Sequence, residues 1–346
     1  MSDVHISKTR VQYYDNLRAF ACFLVILTHS AMPALDPSFG IFTVVFSLIA
    51  SPSSELFISI SSSLLAPTKL PMMEFYKKRF SKLIWPFLFW SIFMVGFRFF
   101  MGYIDGITAL EKIIYFPIKP VVGVYWFVYT ICGLYLINPI ISPWLAVATK
   151  KEMKFILALW LITLILPYLN IITGTNIYKI HGSYYFILTY VGGFLGYMLI
   201  GVYFKKFPLF ISNKWSAILL VILLLTIGTM PVLWSYIYNR DAIKLVTSNL
   251  SITSALYVSA IYIYFKNFKF PSFVENWMSI IAKYSFGIYL IHFLIVRNVV
   301  WKILENHRLP HPLLETPLIA ITSLLISLGI VKCLSYLPAS KYIIGA

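Results

Sequence analysis

Apolar runs of about twenty residues recur along the whole chain, separated by short polar stretches. Ten of them lie at about 12–32, 40–66, 83–103, 123–141, 154–172, 184–204, 215–238, 243–265, 279–303 and 317–338. An α-helix rises about 1.5 Å per residue, so about 20 apolar residues cross the roughly 30 Å hydrocarbon core of a bilayer. Each run is therefore a candidate spanning helix. The second contains Pro52, which predicts a bend. The fold expected from this pattern is an all-α integral membrane bundle of about ten transmembrane helices, forming a single domain over 1–346. No repeat of 20–50 residues and no inverted pair of broken helices is visible, and no soluble domain is expected at either end.

The interruptions of the apolar pattern carry the chemistry. In the first run, Arg18 and His29 are eleven residues apart. Eleven residues make about three helical turns and a rise of about 16 Å, so the two side chains project from one face, about half a bilayer apart in depth. Asp15 and Cys22 share that face. Ionisable residues inside a spanning helix are costly and tend to face an internal cavity. The arrangement suggests an anion site leading to an acid–base site. A plainer alternative pairs Asp15 with Arg18 at i,i+3 and makes His29 an interhelical hydrogen bonder.

Composition supports the membrane reading. The chain of 346 residues is 60% hydrophobic and 12% charged, with a mean hydropathy of +0.84. A soluble domain of that size cannot hide so much apolar surface. The net charge of +16 raises the possibility of nucleic acid, but the cations lie in short stretches between apolar runs. Alternate stretches starting from the N-terminus hold 18 of the 28 Lys and Arg residues and the opposite stretches hold 7, a bias that predicts both termini in the cytoplasm. Cys22, Cys132 and Cys333 form no CxxC pattern, so neither a disulfide framework nor a zinc site is expected, and no metal is. The N-terminus does not read as a cleavable signal peptide, because the first run is of full length and carries Arg18.

Further candidates follow. Glu55 lies inside the second run with Ser59 and Ser62 at i+4 and i+7 and Ser61 and Ser63 beside them. A serine stripe reads most simply as a packing seam. Glu55 needs another account: it can orient a histidine or pair with Arg98 or Arg297, which also lie within runs. Five cations fall between Lys69 and Lys82, including Lys77, Lys78 and Arg79. They read either as topology and anionic-lipid contact or as a polyphosphate site. In the ninth run Ser285, Tyr289 and His292 share a face, and His292 falls in the same outer half as His29. His181, His307 and His311 fall in expected outer loops.

Together these features resemble the acyltransferase-3 family of integral membrane acyltransferases over nearly the whole chain. The most specific element is the R-x10-H pattern, Arg18 and His29 within Tyr14-Asp15-Asn16-Leu17-Arg18-Ala19. The D-L-F-F-x-x-S-G-like stretch of the family's second helix reads here Glu55-Leu56-Phe57-Ile58-Ser59-Ile60-Ser61-Ser62, with Ser62 in place of Gly. Its R-x-x-R pattern is Arg79-Phe80-Ser81-Lys82, its aromatic W-F stretch and later Pro are Trp126-Phe127 and Pro139, and its Y-x-x-H is Tyr289 and His292. Length is most similar to bacterial members that O-acetylate surface glycans.

The resemblance implies a multi-pass protein of the bacterial cytoplasmic membrane that moves an acyl group, in the first instance acetyl from acetyl-CoA, onto a hydroxyl of a polysaccharide or glycolipid. Acyl-CoA would be a co-substrate, with no permanently bound cofactor. Arg18, Lys78, Arg79 and Lys82 would hold its phosphates. His29 would act as general base or as covalent acyl carrier, with Glu55, His292 and Tyr289 around it. Ser61, Arg98, Trp126 and Arg297 are the candidates for substrate contact. A transporter or exporter of a lipid-linked glycan is the alternative class.

Overall fold

The computed structural model of the chain describes residues 11–34, 40–173, 191–207, 211, 214–239 and 242–345. His181, Lys179 and Arg240 lie outside them. Among the described residues all regular structure is helical. The longer helices are α1 (Gln12–Ala34), α2 (Gly40–Ala50), α3 (Ser53–Leu65), α4 (Met72–Phe100), α5 (Gly106–Ile114), α6 (Trp126–Val147), α7 (Lys150–Thr173), α8 (Leu195–Lys206), α9 (Lys214–Tyr238), α10 (Ile252–Asn267), α11 (Ser272–Ile295) and α12 (Pro312–Leu334).

Six stretches of the described chain are long and apolar enough to cross a membrane: Val44–Leu65, Met72–Phe100, Gly123–Val147, Lys214–Tyr238, Ser272–Leu304 and Pro312–Leu334. The expectation of ten spans is thus met for six. The runs at 12–32, 154–172 and 243–265 are not among them, and positions 184–190 of the run at 184–204 lie outside the described residues. The run at 243–265 is broken: a short turn at Ile243–Val246 is followed by irregular chain, and α10 begins only at Ile252.

Other boundaries also shift for local reasons. The second run is two helices, because the chain turns at Ser51–Pro52 and α3 restarts with Leu56 N–H donating to Pro52 O at 3.0 Å. The stretch 67–82, expected as a loop, is helical from Met72, with Pro71 before the first turn and Glu74 within it. Lys77, Lys78, Arg79 and Lys82 are therefore fixed on the face of α4. Between α6 and α7 a reciprocal capping box closes the turn: Thr149 N–H donates to Glu152 Oε2 at 2.7 Å and Glu152 N–H to Thr149 Oγ1 at 3.3 Å. The expected long loop at 142–154 shrinks accordingly. The helix α5 buries no residue, and Ile107, Leu110, Ile113 and Ile114 are exposed along it. Such a helix suits the membrane–water interface.

Several cations are structural. Lys206 Nζ donates to Leu145 O, Ala146 O and Ala148 O at 3.0, 2.8 and 2.7 Å, closing the C-terminus of α6. Lys205 Nζ reaches Ala66 O beyond α3, and Lys266 Nζ reaches Phe204 O of α8. Cations at helix C-termini satisfy the last carbonyls and complement the helix dipole. These bonds tie the ends of α3, α6, α8 and α10 to one side of the bundle, here called the basic end.

Helix α1 runs through the interior, packed on α3, α10, α11 and α12. Leu17, Ala21, Leu24 and Ile26 are buried. By contrast α9 is peripheral: 17% of its most apolar window is buried, against 61% for the Ser272–Leu304 stretch.

The serines of α3 confirm the seam. Ser59 Oγ donates to Tyr197 O at 3.0 Å and Ser63 Oγ to Gly201 O at 2.7 Å, both on α8. Ser62, where the family has Gly, bonds its own helix at Ile58 O. A Cβ on Gly201 would lie 2.0 Å from Ser59 O, so even alanine there forces α3 and α8 apart. Overpacking of this kind costs about 1–3 kcal/mol. Gly201→Ala should lower the unfolding temperature of the detergent-solubilised protein, whereas Gly133→Ala, with nothing within 4 Å of the new Cβ, should leave it level or slightly raised. Equal unfolding temperatures in a thermal melt would contradict the seam.

Candidate active site: two pockets back to back

Two pockets enter the bundle from opposite ends and share two residues, Tyr289 and Phe127. The first, of about 250 Å³, is lined by Arg18, Arg79, Lys82 and Lys283 together with Phe57, Ser61, Tyr135 and Ser285. It opens at the basic end. Arg79 and Lys82 sit at i and i+3 on α4, so the helical start of α4 is what aims them inward. Arg18 and Arg79 both lie within electrostatic range of the Tyr135 hydroxyl. Arg79 Nε is buried without a hydrogen-bond partner, and the guanidinium carbon lies 5.8 Å from the centre of the Phe75 ring. A buried, unsatisfied guanidinium donor in a cationic pocket fits a phosphate or other oxyanion. The C-terminal segment closes one side. Trp90 Nε1 donates to Ile343 O at 2.9 Å. Gly345 turns beneath the pocket at φ +70°, where a Cβ would lie 2.8 Å from Phe286 and 3.0 Å from Lys82 O.

The second pocket, of about 210 Å³, opens at the far end. It is lined by His29, Thr28, Ser51, Ser53, Thr247, Asn249 and Trp126, among others. Two breaks in the helical pattern build it. The turn at Ser51–Pro52 supplies one wall and the irregular chain after Val246 supplies the other. Ser254 Oγ lies between them, within hydrogen-bond reach of Ser51 O at 3.1 Å and Ser248 O at 2.9 Å. At membrane depth, backbone that is neither helix nor barrel is tolerated where it is buried in protein or lines a wet cavity. Breaking two helices at one place is thus a mark of a site.

An aromatic collar separates the pockets. The turn Gly123–Tyr125, which precedes α6, is held against α11 by two tyrosines. Tyr125 Oη donates to Leu290 O at 2.8 Å, and the Tyr289 hydroxyl donates to the Val124 carbonyl. The Phe127 ring lies 5.5 Å from Tyr289 and 6.0 Å from Phe57, centre to centre.

His29 faces the far pocket just beyond the collar. Its ring centre lies 5.2 Å from that of His292. His292 is fully buried, and its Nδ1 bonds the Tyr289 carbonyl, so Nδ1 carries the proton. Neither His29 Nδ1 nor His292 Nε2 has another partner among the described residues. An N–H···N bond between two imidazoles places the ring centres roughly 5 Å apart. His29 Nδ1 and His292 Nε2 are the two nitrogens that such a bond would join, which would leave His29 Nε2 as the free base.

Not every expected residue joins the site. Lys78 is exposed and lines neither pocket, so the cations of the basic pocket are Arg18, Arg79, Lys82 and, unforeseen, Lys283. Ser61 lies in the basic pocket and Trp126 in the far one. Arg98 and Arg297 line neither pocket; Arg297 is exposed on the π-helical turn Val296–Val300 that continues α11. Glu55 is fully buried and lines neither pocket. Its carboxylate faces Asn249, makes no hydrogen bond, and forms no ion pair with either arginine among the described residues. Glu55 therefore stands behind the far pocket, next to Asn249. His307 and His311 lie beyond α11 at the far end, where His311 caps α12. No group of His, Cys, Asp and Glu among the described residues has metal-binding arrangement.

Comparison with known proteins gives one match. No curated protein and no solved structure matches the chain. The family model described as an acyltransferase domain matches residues 11–332, which contain the collar, the far pocket and all of the basic pocket's lining except Ile344 and Gly345. The chain therefore belongs to the acyltransferase-3 family, and is a multi-pass membrane acyltransferase.

Proposed function

We propose that the protein transfers an acyl group, acetyl in the simplest case, from cytoplasmic acyl-CoA to a hydroxyl of a cell-surface or exported glycan at the outer face of a bacterial inner membrane. The observation that carries this reading is the pair of pockets meeting at Tyr289 and Phe127, one cationic and one lined by hydroxyl, amide and imidazole groups. The basic end is then cytoplasmic, in keeping with the excess of Lys and Arg there.

The phosphates of the donor lie among Arg79, Lys82, Lys283 and Arg18, and the narrow pantetheine arm brings the thioester to the collar. The acceptor hydroxyl enters from the far end and gives its proton to His29 Nε2. Its oxygen attacks the thioester carbonyl carbon. The carbonyl π electrons move to oxygen, where the Ser61 hydroxyl or a main-chain N–H can stabilise the charge. When the carbonyl re-forms, the C–S bond breaks, and the CoA sulfur leaves with the electron pair and takes the proton from His29. The products are an ester and free CoA. His292 fixes the tautomer of His29 and touches neither substrate. The collar suits reaction at a meeting point better than passage of a whole glycan, which disfavours an exporter.

Three outcomes are expected. His29→Ala should cut acyl transfer at least 100-fold with insertion and thermal stability retained, in line with loss of a general base at about 10²–10⁴; activity within threefold of wild type sinks the assignment. His292→Ala should lower kcat tenfold or more with KM for both substrates within twofold, since it acts through His29; a change confined to KM contradicts the positioning role. Calorimetry should find that Arg79→Ala and Lys283→Ala each weaken CoA binding about tenfold, the more so at low ionic strength, while Lys78→Ala does not. Unchanged affinity in the first two variants would return these cations to a purely topological role.

A further inference from the structure

The far pocket does not end at His29. A neighbouring pocket of about 400 Å³ shares Trp126 and Asn249 with it and continues over Thr163, Leu164, Phe194 and Ser248. At about 210 Å³ the His29 pocket alone lies below the roughly 300–1,000 Å³ of ordinary small-molecule sites, and the two together fall within that range. Asn249 stands at their junction. Its carbonyl accepts from the Tyr197 hydroxyl at 2.6 Å, and the buried, unpartnered Glu55 carboxylate faces its side chain. Trp126 and Phe194 form an aromatic wall, ring centres 5.4 Å apart and inclined at 35°. Among the described residues neither pocket is lined by Lys, Arg, Asp or Glu.

Aromatic faces beside amide and hydroxyl groups, with no fixed charge, suit a neutral polyhydroxylated ligand. The apolar face of a sugar ring rests on Trp or Phe, while its hydroxyls bond the amide and hydroxyls. A charged sugar would lose hydration here with no counter-ion among the described lining residues to replace it.

We propose that the two pockets form one bipartite acceptor site that holds at least two consecutive residues of an uncharged oligosaccharide. The ring to be acylated lies beside His29, its neighbour lies on Trp126 and Phe194, and Asn249 reads the hydroxyls at the linkage between them. This rests on the acyl-transfer reading above and narrows its acceptor. Asn249 is then a specificity-determining residue.

The test uses the full-length protein in nanodiscs with acetyl-CoA. Its acceptors are size-fractionated mono-, di- and trisaccharides from hydrolysed neutral hexose, N-acetylhexosamine and hexuronate polymers, with ester formation read by mass spectrometry. Wild type should favour neutral two-ring acceptors over one-ring acceptors by at least tenfold in kcat/KM and should use hexuronates poorly. Asn249→Ala and Leu164→Trp should each reduce that two-ring preference to within threefold of unity, Leu164→Trp by filling the second pocket and Asn249→Ala by removing the linkage contact. The Leu164→Trp arm keeps the test decisive if Asn249→Ala misfolds. Equal use of one-ring and two-ring acceptors by wild type, or hexuronates used as well as neutral sugars, overturns the bipartite site while leaving the acyl-transfer reading intact. Absence of transfer to every acceptor, with the CoA thioester also unhydrolysed, overturns both.

Discussion

The site depends on keeping the charged face of α1 away from lipid. A helix carrying Asp15, Arg18 and His29 is a poor spanning segment on the bilayer side, because each ionisable group there costs several kcal/mol of desolvation. The bundle removes that cost by packing α3, α10, α11 and α12 around α1. Its polar face then looks into protein-lined pockets, with Arg18 in one and His29 in the other. The more apolar helices, α9 above all, take the lipid-facing positions.

Once α1 is interior, its helical geometry sets the distance between Arg18 and His29. What the rest of the fold adds is separation. The turn at Gly123–Tyr125, pinned through Tyr125 and Tyr289, puts Phe127 across the passage, so a basic pocket and a neutral pocket face each other over a thin aromatic wall. The cations divide in the same spirit. Lys205, Lys206 and Lys266 close helix ends, whereas Arg79, Lys82 and Lys283 face the cavity.

Much of this was legible in the chain. Arg18 and His29 were readable because their spacing is local to one helix, and the family and the helical membrane fold followed from motifs and apolar runs. The serine seam of α3 was readable because small residues at helical spacing have few other uses. What was not legible depends on contacts distant in sequence. Lys283 looked like one more loop cation, and only the packing of α11 beside α4 brings it to Arg79. Arg98 and Arg297 looked like substrate ligands because they interrupt apolar runs, and neither lines the basic or the far pocket. Glu55 lies next to Asn249, 194 positions away, and nothing in the 247–251 stretch marks it as site-forming until the break before α10 is seen. The basic loop became the start of α4 because Pro71 and Glu74 are helix-start signals that a hydropathy pattern does not register.

The central claim is that donor and acceptor reach His29 from opposite ends of the bundle. The most direct test reconstitutes the protein in sealed liposomes of one known orientation, with acetyl-CoA confined to the side of the basic end and a membrane-impermeant oligosaccharide confined to the other. The account predicts acylated oligosaccharide on the far side and free CoA on the basic side, with no product when both reactants are placed on the far side. Transfer that requires both reactants on one side would contradict it.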